Sequence, residues 1–212
     1  MTQTKFLRWV LRLLLFGPLL WWIALGLTGG LGAEPVSKLN TETGYVTLVL
    51  ILINLVIGIC LALKKNWPPW TRWFFLERRW LGVASGLYLL GHVFFYFAKE
   101  GFLPMAFSQI FTKNYLTLGF IAAVVVWILT LTSNNFSQKL FGRKWKLLHR
   151  LIHGVSLAIL GHVFLIEKAN LLLFAAMTLP LVPFQLFRLG RFLKTKVESF
   201  RGASRKSDKS LS

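Results

Sequence analysis

The residues of this chain that are best suited to chemistry are its four histidines, His92, His149, His153 and His162. All of them lie in two strongly apolar stretches, and the other apolar stretches contain no histidine. An imidazole placed in hydrocarbon must find a polar partner or a metal ion. A hydrogen bond between helices would satisfy one isolated histidine. A group of histidines confined to two segments instead favours metal coordination.

Two of these histidines are predicted to lie at similar depth. If both stretches are helices, His92 and His162 lie about 18 Å and 21 Å from the ends at which their helices begin. Facing each other across a bundle, they could supply both axial nitrogens of one haem b group. Gly91 and Gly161 precede them, and the missing side chains would make room for a flat macrocycle.

His149 lies nearer the other end of the fifth stretch, about 20 Å from His162 along a helix. We predict that it is a further haem ligand. The third stretch offers Arg79 rather than histidine at the matching depth. A second site would therefore be five-coordinate, ligated from elsewhere, or not a haem. His153 follows His149 by one helical turn and is a weaker candidate for the same role.

Long apolar blocks must position these histidines. The 212 residues are 55% hydrophobic and 15% charged, a balance that excludes soluble and disordered proteins. The blocks are about 20 residues long, which is the length that crosses a bilayer as a helix. We predict an all-α, six-helix transmembrane bundle over residues 1–187, followed by a basic cytoplasmic tail, 188–212. The six predicted helices cover residues 9–29, 44–63, 80–98, 115–133, 147–166 and 169–187.

The charge pattern predicts orientation. The net charge is +18, which in a soluble chain would suggest a nucleic-acid partner. Here 21 of the 25 Lys and Arg residues lie in the N-terminus, the 64–79 and 134–150 loops and the tail. Such a bias places those segments in the cytoplasm. We therefore expect a multi-pass protein of the bacterial inner membrane with both termini cytoplasmic, surrounded by lipid and without a nucleic-acid partner.

Several kinds of site are excluded by what the sequence lacks. The seven acidic residues all lie in loops, block ends or the tail, which argues against a carboxylate proton relay. A single cysteine, Cys60, cannot form an intramolecular disulfide. No G-x-G-x-x-G nucleotide motif is present, so a redox role requires a separate flavin reductase, a bound flavin or membrane quinol as donor. We identify no internal repeat.

Several motifs together identify a resemblance. They are GGLGAEPV, TGYVTL, RRWLGVASGLYLLGHVFFYF, KNYLTLGF, FGRKWKLLHRLIHG and a final GHVF. In these motifs the chain resembles the MsrQ (YedZ) family, haem-binding membrane subunits of the MsrPQ protein-methionine-sulfoxide reductase system. This family belongs to the wider ferric-reductase-like transmembrane group. The resemblance covers most of the chain but not the N-terminus or the tail.

The resemblance implies haem b, with FMN as a further cofactor. It also implies that electrons are drawn from the quinone pool and passed to MsrP, a periplasmic molybdopterin enzyme that repairs oxidised periplasmic proteins. The chain would then be a redox subunit and not the catalytic one. The histidines of the family correspond to His92, His149 and His162, whereas His153 departs from the family pattern.

Two alternatives remain open from the sequence. The first is a self-contained cytochrome b that reduces quinone or ferric iron without MsrP. The second belongs to another class, a transporter or assembly factor in which the histidines are structural. An optical spectrum of the purified protein separates the redox hypotheses from the second alternative.

Overall fold

A computed structural model of the chain describes residues 3–62, 66–68 and 71–166, together with the single positions 182, 186, 190, 193, 194, 197 and 198. The chain divides into two compact units, residues 1–167 and 168–212. Every regular element within the described residues is helical, which confirms the predicted all-α class. The predicted sixth helix and the tail lie outside the described residues except for those single positions, which are helical and exposed.

Five helical stretches of the described residues are long and apolar enough to cross a membrane: Thr4–Leu27, Pro35–Leu61, Arg78–Lys99, Asn114–Leu131 and Arg143–Phe164. They coincide with the first five predicted blocks, and the chain is a multi-pass membrane protein. In chain order the helices are α1 (Gln3–Leu27), α2 (Pro35–Ala62), α3 (Arg72–Leu76), α4 (Arg78–Lys99), α5 (Pro104–Thr112), α6 (Asn114–Leu131), α7 (Asn135–Phe141), α8 (Arg143–His149) and α9 (Ile152–Phe164).

Some helices extend beyond the apolar blocks or lie outside them. Helix α2 begins at Pro35, well before the predicted start near residue 44, because proline suits the first position of a helix and polar residues continue it. The short helices α3, α5 and α7 fall in predicted loops. Helix α7 has a capping signal, since the Asn134 side chain accepts a hydrogen bond from the Ser137 N–H at 2.7 Å.

Two antiparallel helix pairs form the centre of the first unit. Helix α2 packs along α4, and α6 packs along α9. In the first pair, the Asn40 side-chain amide donates to the His92 carbonyl at 2.8 Å. Toward the other end, the Asn54 amide donates to the Arg78 carbonyl at 3.2 Å. These bonds fix the register of α2 against α4 and therefore the level at which His92 lies.

The two pairs meet where α4 contacts α6. A Cβ atom added to Gly86 would overlap the side chain of Thr130, so glycine is required for this approach. On α6, Ala122 and Ala123 are also buried, at 4% and 1% exposure. Small residues let membrane helices pack closely without a hydrophobic driving force between them. This contact holds the two pairs against each other.

A buried carboxylate attaches α1 to the beginning of α4. Glu77 is only 3% exposed, and the Arg12 Nε donates to its Oε2 at 3.0 Å. The same guanidinium lies 4.7 Å from the centre of the Trp80 ring. Further along, the Tyr88 hydroxyl donates to the Leu15 carbonyl at 2.7 Å. Helix α1 is thus bound to α4 at two levels.

The fifth predicted helix, 147–166, is interrupted. The Arg150 and Leu151 N–H groups each bond to the carbonyl three residues earlier, at 3.1 and 3.0 Å. Such bonds tighten the chain into a 3₁₀-like turn between α8 and α9. His149 and His153 therefore lie on either side of this turn and do not share one continuous α-helix, as the sequence had suggested.

Candidate metal centre

The His92 ring is held on the surface of α2. Its Nδ1 lies 2.8 Å from the Asn40 carbonyl oxygen. A Cβ atom added to Gly44 would lie 2.9 Å from the same Nδ1 and 3.0 Å from Cε1. The imidazole therefore rests directly on the Gly44 backbone, in space that any side chain at this position would fill.

The His162 ring is held in the same way on α6. Its Nδ1 lies 2.6 Å from the Tyr115 carbonyl oxygen. A Cβ atom added to Gly119 would lie 2.6 Å from Nδ1 and 2.8 Å from Cε1. Each arrangement consists of a backbone carbonyl, a glycine four residues later and the imidazole that both contact, and we call it an imidazole seat. The first seat is formed by Asn40, Gly44 and His92, and the second by Tyr115, Gly119 and His162.

The two imidazole seats form a structural repeat. Residues four apart share one face of a helix, so each carbonyl and its glycine face the same ring. The pair α2–α4 corresponds to the pair α6–α9, and the sequence GHVF occurs at 91–94 and again at 161–164. The expectation that the chain has no internal repeat is therefore wrong. The repeat is short and spans helix pairs, which hides it from a comparison of whole segments.

Gly91 and Gly161 lie on the packed surfaces of their helix pairs. A Cβ atom at Gly91 would contact the Thr43 Cγ2 on α2 at 3.5 Å. One at Gly161 would lie 2.9 Å from the Leu118 Cδ1 on α6. Both glycines thus face the neighbouring helix of their own pair. A Cβ at Gly91 would make an ordinary van der Waals contact, and one at Gly161 would meet only the end of the Leu118 side chain. That these glycines make room for a macrocycle stays a prediction.

His92 and His162 are brought together across the two pairs. Each comes from a different helix pair, and the two pairs are in contact through α4 and α6. The sequence had placed them at similar depth by counting residues along two predicted helices. The structure adds that the helix pairs carrying them pack against each other, which such counting cannot supply.

The hydrogen bonds of the seats decide which ring nitrogen can bind a metal. A backbone carbonyl only accepts hydrogen bonds, so the Nδ1 of His92 and the Nδ1 of His162 each carry the proton. In a neutral imidazole the lone pair then resides on Nε2. A metal-binding histidine usually has its other nitrogen bonded to a carbonyl or carboxylate. Both rings are therefore prepared to coordinate a metal through Nε2.

His149 has different surroundings at the other end of α6. Its Nε2 lies 3.2 Å from the Thr132 hydroxyl, which donates in turn to the Ile128 carbonyl at 2.7 Å. The Trp145 ring stacks on the imidazole at 4.0 Å and 29°, and its Nε1 donates to the Thr132 carbonyl at 2.8 Å. Metal binding through Nε2 would have to replace the bond to Thr132.

Arg79 reaches the same end of α6 from α4. Its Nε donates to the Ser133 carbonyl at 2.7 Å, and its Nη1 donates to Asn135 at 2.9 Å. Ser133 follows Thr132, the partner of His149, so Arg79 and His149 approach one helix end from two directions. At the end of the bundle opposite the imidazole seats, Arg79 and His149 thus meet the last residues of α6.

His153 lies on α9 between these two levels. It is nine residues before His162, which corresponds to about 14 Å along a helix. Its backbone carbonyl accepts a hydrogen bond from the Ser156 hydroxyl at 2.7 Å. At that separation along the helix, His153 stands at a different level from the two imidazole seats.

Comparison with known proteins gives the family. The family model described as "Ferric reductase like transmembrane component" matches residues 43–160. The protein-methionine-sulfoxide reductase heme-binding subunits MsrQ of Salmonella paratyphi B, Salmonella newport and Salmonella enteritidis are each 31% identical over 185 residues, 85% of this chain and 91% of each relative. This chain belongs to the MsrQ family. No solved structure matches it.

Membership of the MsrQ family confirms the resemblance carried by the sequence motifs. The ferric-reductase-like match runs from α2 to within α9, and it includes Gly44, His92, Gly119 and His149. His162 lies two residues beyond its end. The matched region therefore contains both the glycine and the histidine of the first imidazole seat, but only the glycine of the second.

The sequence reasoning missed Asn40, Gly44, Tyr115 and Gly119 in this MsrQ family member. Backbone carbonyls have no signature in a sequence, and single glycines are ordinary in membrane helices. The available signals were the repeated GHVF and the aromatic residue that follows each seat glycine, Tyr45 and Phe120. Only the three-dimensional pairing of the helices shows that these signals belong to one arrangement.

Proposed function

We propose that the chain is a haem b electron-transfer subunit in which His92 and His162 bind the haem iron from opposite sides. The pair of matched imidazole seats is the observation that carries this proposal. A structural metal ion alone usually takes four protein ligands, whereas haem iron takes only axial ligands from the protein. Two neighbouring imidazoles with prepared Nε2 atoms suit the second requirement.

The residues of the seats would hold and orient the cofactor. The Asn40 and Tyr115 carbonyls fix each ring by accepting its Nδ1 proton, which also makes Nε2 a stronger donor. Gly44 and Gly119 let the rings lie against the helices. Bound haem would supply a reversible one-electron carrier. His92 and His162 would hold the group with rings that their carbonyl bonds already orient.

His149 is proposed as a further haem ligand near the inner face, with His153 as its weaker alternative. The support for His149 is its correspondence to a family histidine and its level in the bundle, far from the imidazole seats. Binding there through Nε2 would exchange the Thr132 bond for a metal bond. Arg79 would lie at the same end of the bundle, where its charge suits an acidic group of a bound cofactor.

The proposed route carries electrons from the quinone pool or a flavin reductase to an MsrP-type periplasmic molybdopterin enzyme, for repair of oxidised methionine in periplasmic proteins. The names of the relatives support the acceptor. We include FMN as a cofactor on family resemblance alone. The location proposed is the bacterial inner membrane, with six spans and both termini cytoplasmic, because 21 of 25 basic residues lie in segments that would then face the cytoplasm.

An optical spectrum of the detergent-purified protein tests the haem proposal. We expect reduced b-type bands in the wild-type chain, expressed with haem precursor. His92→Ala or His162→Ala should lower the occupancy of the haem between the imidazole seats on the order of ten-fold or more, leaving only the haem proposed at His149, since even loss of a supporting group weakens metal binding by about that factor. His153→Ala is the control and should keep the haem of the imidazole seats. A colourless wild-type protein would refute the proposal.

A second measurement separates the MsrP-linked role from a self-contained cytochrome. The haem is reduced, mixed with an MsrP-type molybdopterin reductase and methionine sulfoxide, and followed by its absorbance. Rapid reoxidation that depends on the reductase supports the proposed acceptor. Reoxidation by quinone or ferric iron at the same rate with or without the reductase would favour the self-contained cytochrome.

A further inference from the structure

An open cavity of about 450 Å³ lies beside α8. It is lined by Gly142, Arg143, Lys146, Leu147 and Arg150. The three cations follow a spacing of three and four residues, so they lie on one side of the helical segment. The cavity is thus bounded mainly by positive charge and is open to its surroundings.

The charges of this cavity have no counterpart nearby. The loop 134–150 contains five basic residues and no acidic one. Within the described part of the chain, Arg143, Lys146 and Arg150 take part in no ion pair and in no side-chain hydrogen bond. Guanidinium and ammonium groups held together without a counter-ion attract an anion, and guanidinium groups suit phosphate oxygens in particular.

Apolar surface continues directly from the cavity. Leu147 lines it and is 64% exposed, and Leu151, one turn further along, is 50% exposed. Both belong to the stretch Arg143–Phe164, which is able to cross a membrane. A ligand that places a phosphate between the cations can therefore lay hydrocarbon along Leu147 and Leu151 toward the bilayer interior.

We propose that this cavity binds the headgroup of an anionic phospholipid. Its phosphate would lie among Arg143, Lys146 and Arg150, and its acyl chains would follow the exposed leucines. A free phosphate ion would use only the cations, and an acidic protein surface would leave the leucines uncovered. The inference does not rest on the haem proposed between the imidazole seats, because none of these residues belongs to a seat.

The test measures lipid binding to the full-length, delipidated protein in detergent. Thermal stability is followed during titration with phosphatidylglycerol, phosphatidylcholine, inorganic phosphate or polyglutamate, and bound lipid is counted by native mass spectrometry. We expect stabilisation by phosphatidylglycerol only. Equal effects of phosphatidylcholine, of phosphate alone or of polyglutamate would each overturn the proposal, the last two in favour of an ion site or an acidic protein partner.

Variants locate the binding. Changing Arg143, Lys146 and Arg150 together to glutamine should weaken phosphatidylglycerol binding on the order of a hundred-fold, since each cation near a membrane surface contributes about five-fold in affinity. The matched control changes Lys5, Lys139 and Lys144 to glutamine, which removes the same charge outside the cavity. If the triple variant does not fold, Lys146→Gln alone should show about a five-fold loss. Equal losses in variant and control would refute the site.

Discussion

At the scale of single residues, the imidazole seats show how a glycine can determine the position of a metal ligand. Gly44 and Gly119 contribute no side chain, yet the rings of His92 and His162 occupy the volume that a side chain would fill. The adjacent carbonyls then select the protonated nitrogen. Orientation and protonation of each ring are thus set by the neighbouring backbone, and the histidine side chain alone would not fix either.

Gly119→Ala should therefore disturb the proposed haem site. Its methyl group would lie 2.6 Å from the His162 Nδ1, so the ring must move and lose the Tyr115 carbonyl. We expect the occupancy of the haem between the imidazole seats to fall on the order of ten-fold, with altered low-temperature EPR g-values in the haem that remains there. Gly154→Ala on α9 is the matched control, because a Cβ there meets nothing within 4 Å. Unchanged haem content and g-values in Gly119→Ala would contradict the role of the seats.

At the scale of helices, Glu77 links α1 to the bundle. Its carboxylate is 3% exposed and accepts from Arg12, while the Arg8 Nε lies 3.5 Å from its Oε1. The sequence placed this residue among acids of loops and block ends, and hydropathy alone gave no sign of its burial. A buried acid between basic residues is stabilising only when its partners remain in place.

Glu77→Gln should weaken the attachment of α1. The loss leaves Arg12 without its ionic partner and should lower the free energy of unfolding by about 2 kcal/mol. This is less than the 3–5 kcal/mol of a fully buried pair, since the Arg12 side chain is 31% exposed. Thermal unfolding in detergent measures the change, and exposed Glu34→Gln is the control. Haem content should persist in both variants. An unfolding temperature equal to that of the control would show that the cluster does not hold α1.

The elements also show what the sequence could predict. Five spanning helices followed from hydropathy because a bilayer requires long apolar segments whatever their contacts. The prediction of His92 and His162 as a pair needed only helical rise and depth. The short helices α3, α5 and α7 and the turn at Arg150 depend on local capping and i→i−3 bonds, which hydropathy does not report. The imidazole seats depend on which helices pack against each other. This is a tertiary property, and no local pattern in a single sequence reports it.

At the scale of the whole molecule, the repeated helix pairs account for the positions of His92 on α4 and His162 on α9. Each pair contributes one ring-bearing helix and one helix that supplies a carbonyl and a glycine. Two such pairs packed through Gly86 bring one histidine from each to the same level. Electrons would leave on the side of the membrane that lies nearer the imidazole seats. Which side that is depends on the orientation proposed from the charge bias.

Cysteine accessibility tests that orientation, because Cys60 is the only cysteine in the sequence. In a Cys60→Ser background, Lys99→Cys and Lys144→Cys each provide one exposed labelling position on opposite ends of the bundle. A membrane-impermeant maleimide should label the Lys99→Cys protein in intact spheroplasts. It should label the Lys144→Cys protein only after permeabilisation, because the charge bias predicts that the basic loop 134–150 faces the cytoplasm. The reverse pattern would place the imidazole seats near the cytoplasmic face and contradict a periplasmic acceptor.

Lys209→Cys extends the same experiment to the number of spans. With six spans the tail lies on the side of Lys144, so this variant should also require permeabilisation for labelling. With five spans the tail would lie on the side of Lys99, and labelling would occur in intact spheroplasts. The prediction of six rests on the apolar segment 169–187 and on the eight basic residues between Arg188 and Lys209. Those charges would oppose translocation of the tail, which makes the six-span arrangement the one consistent with both hydropathy and charge.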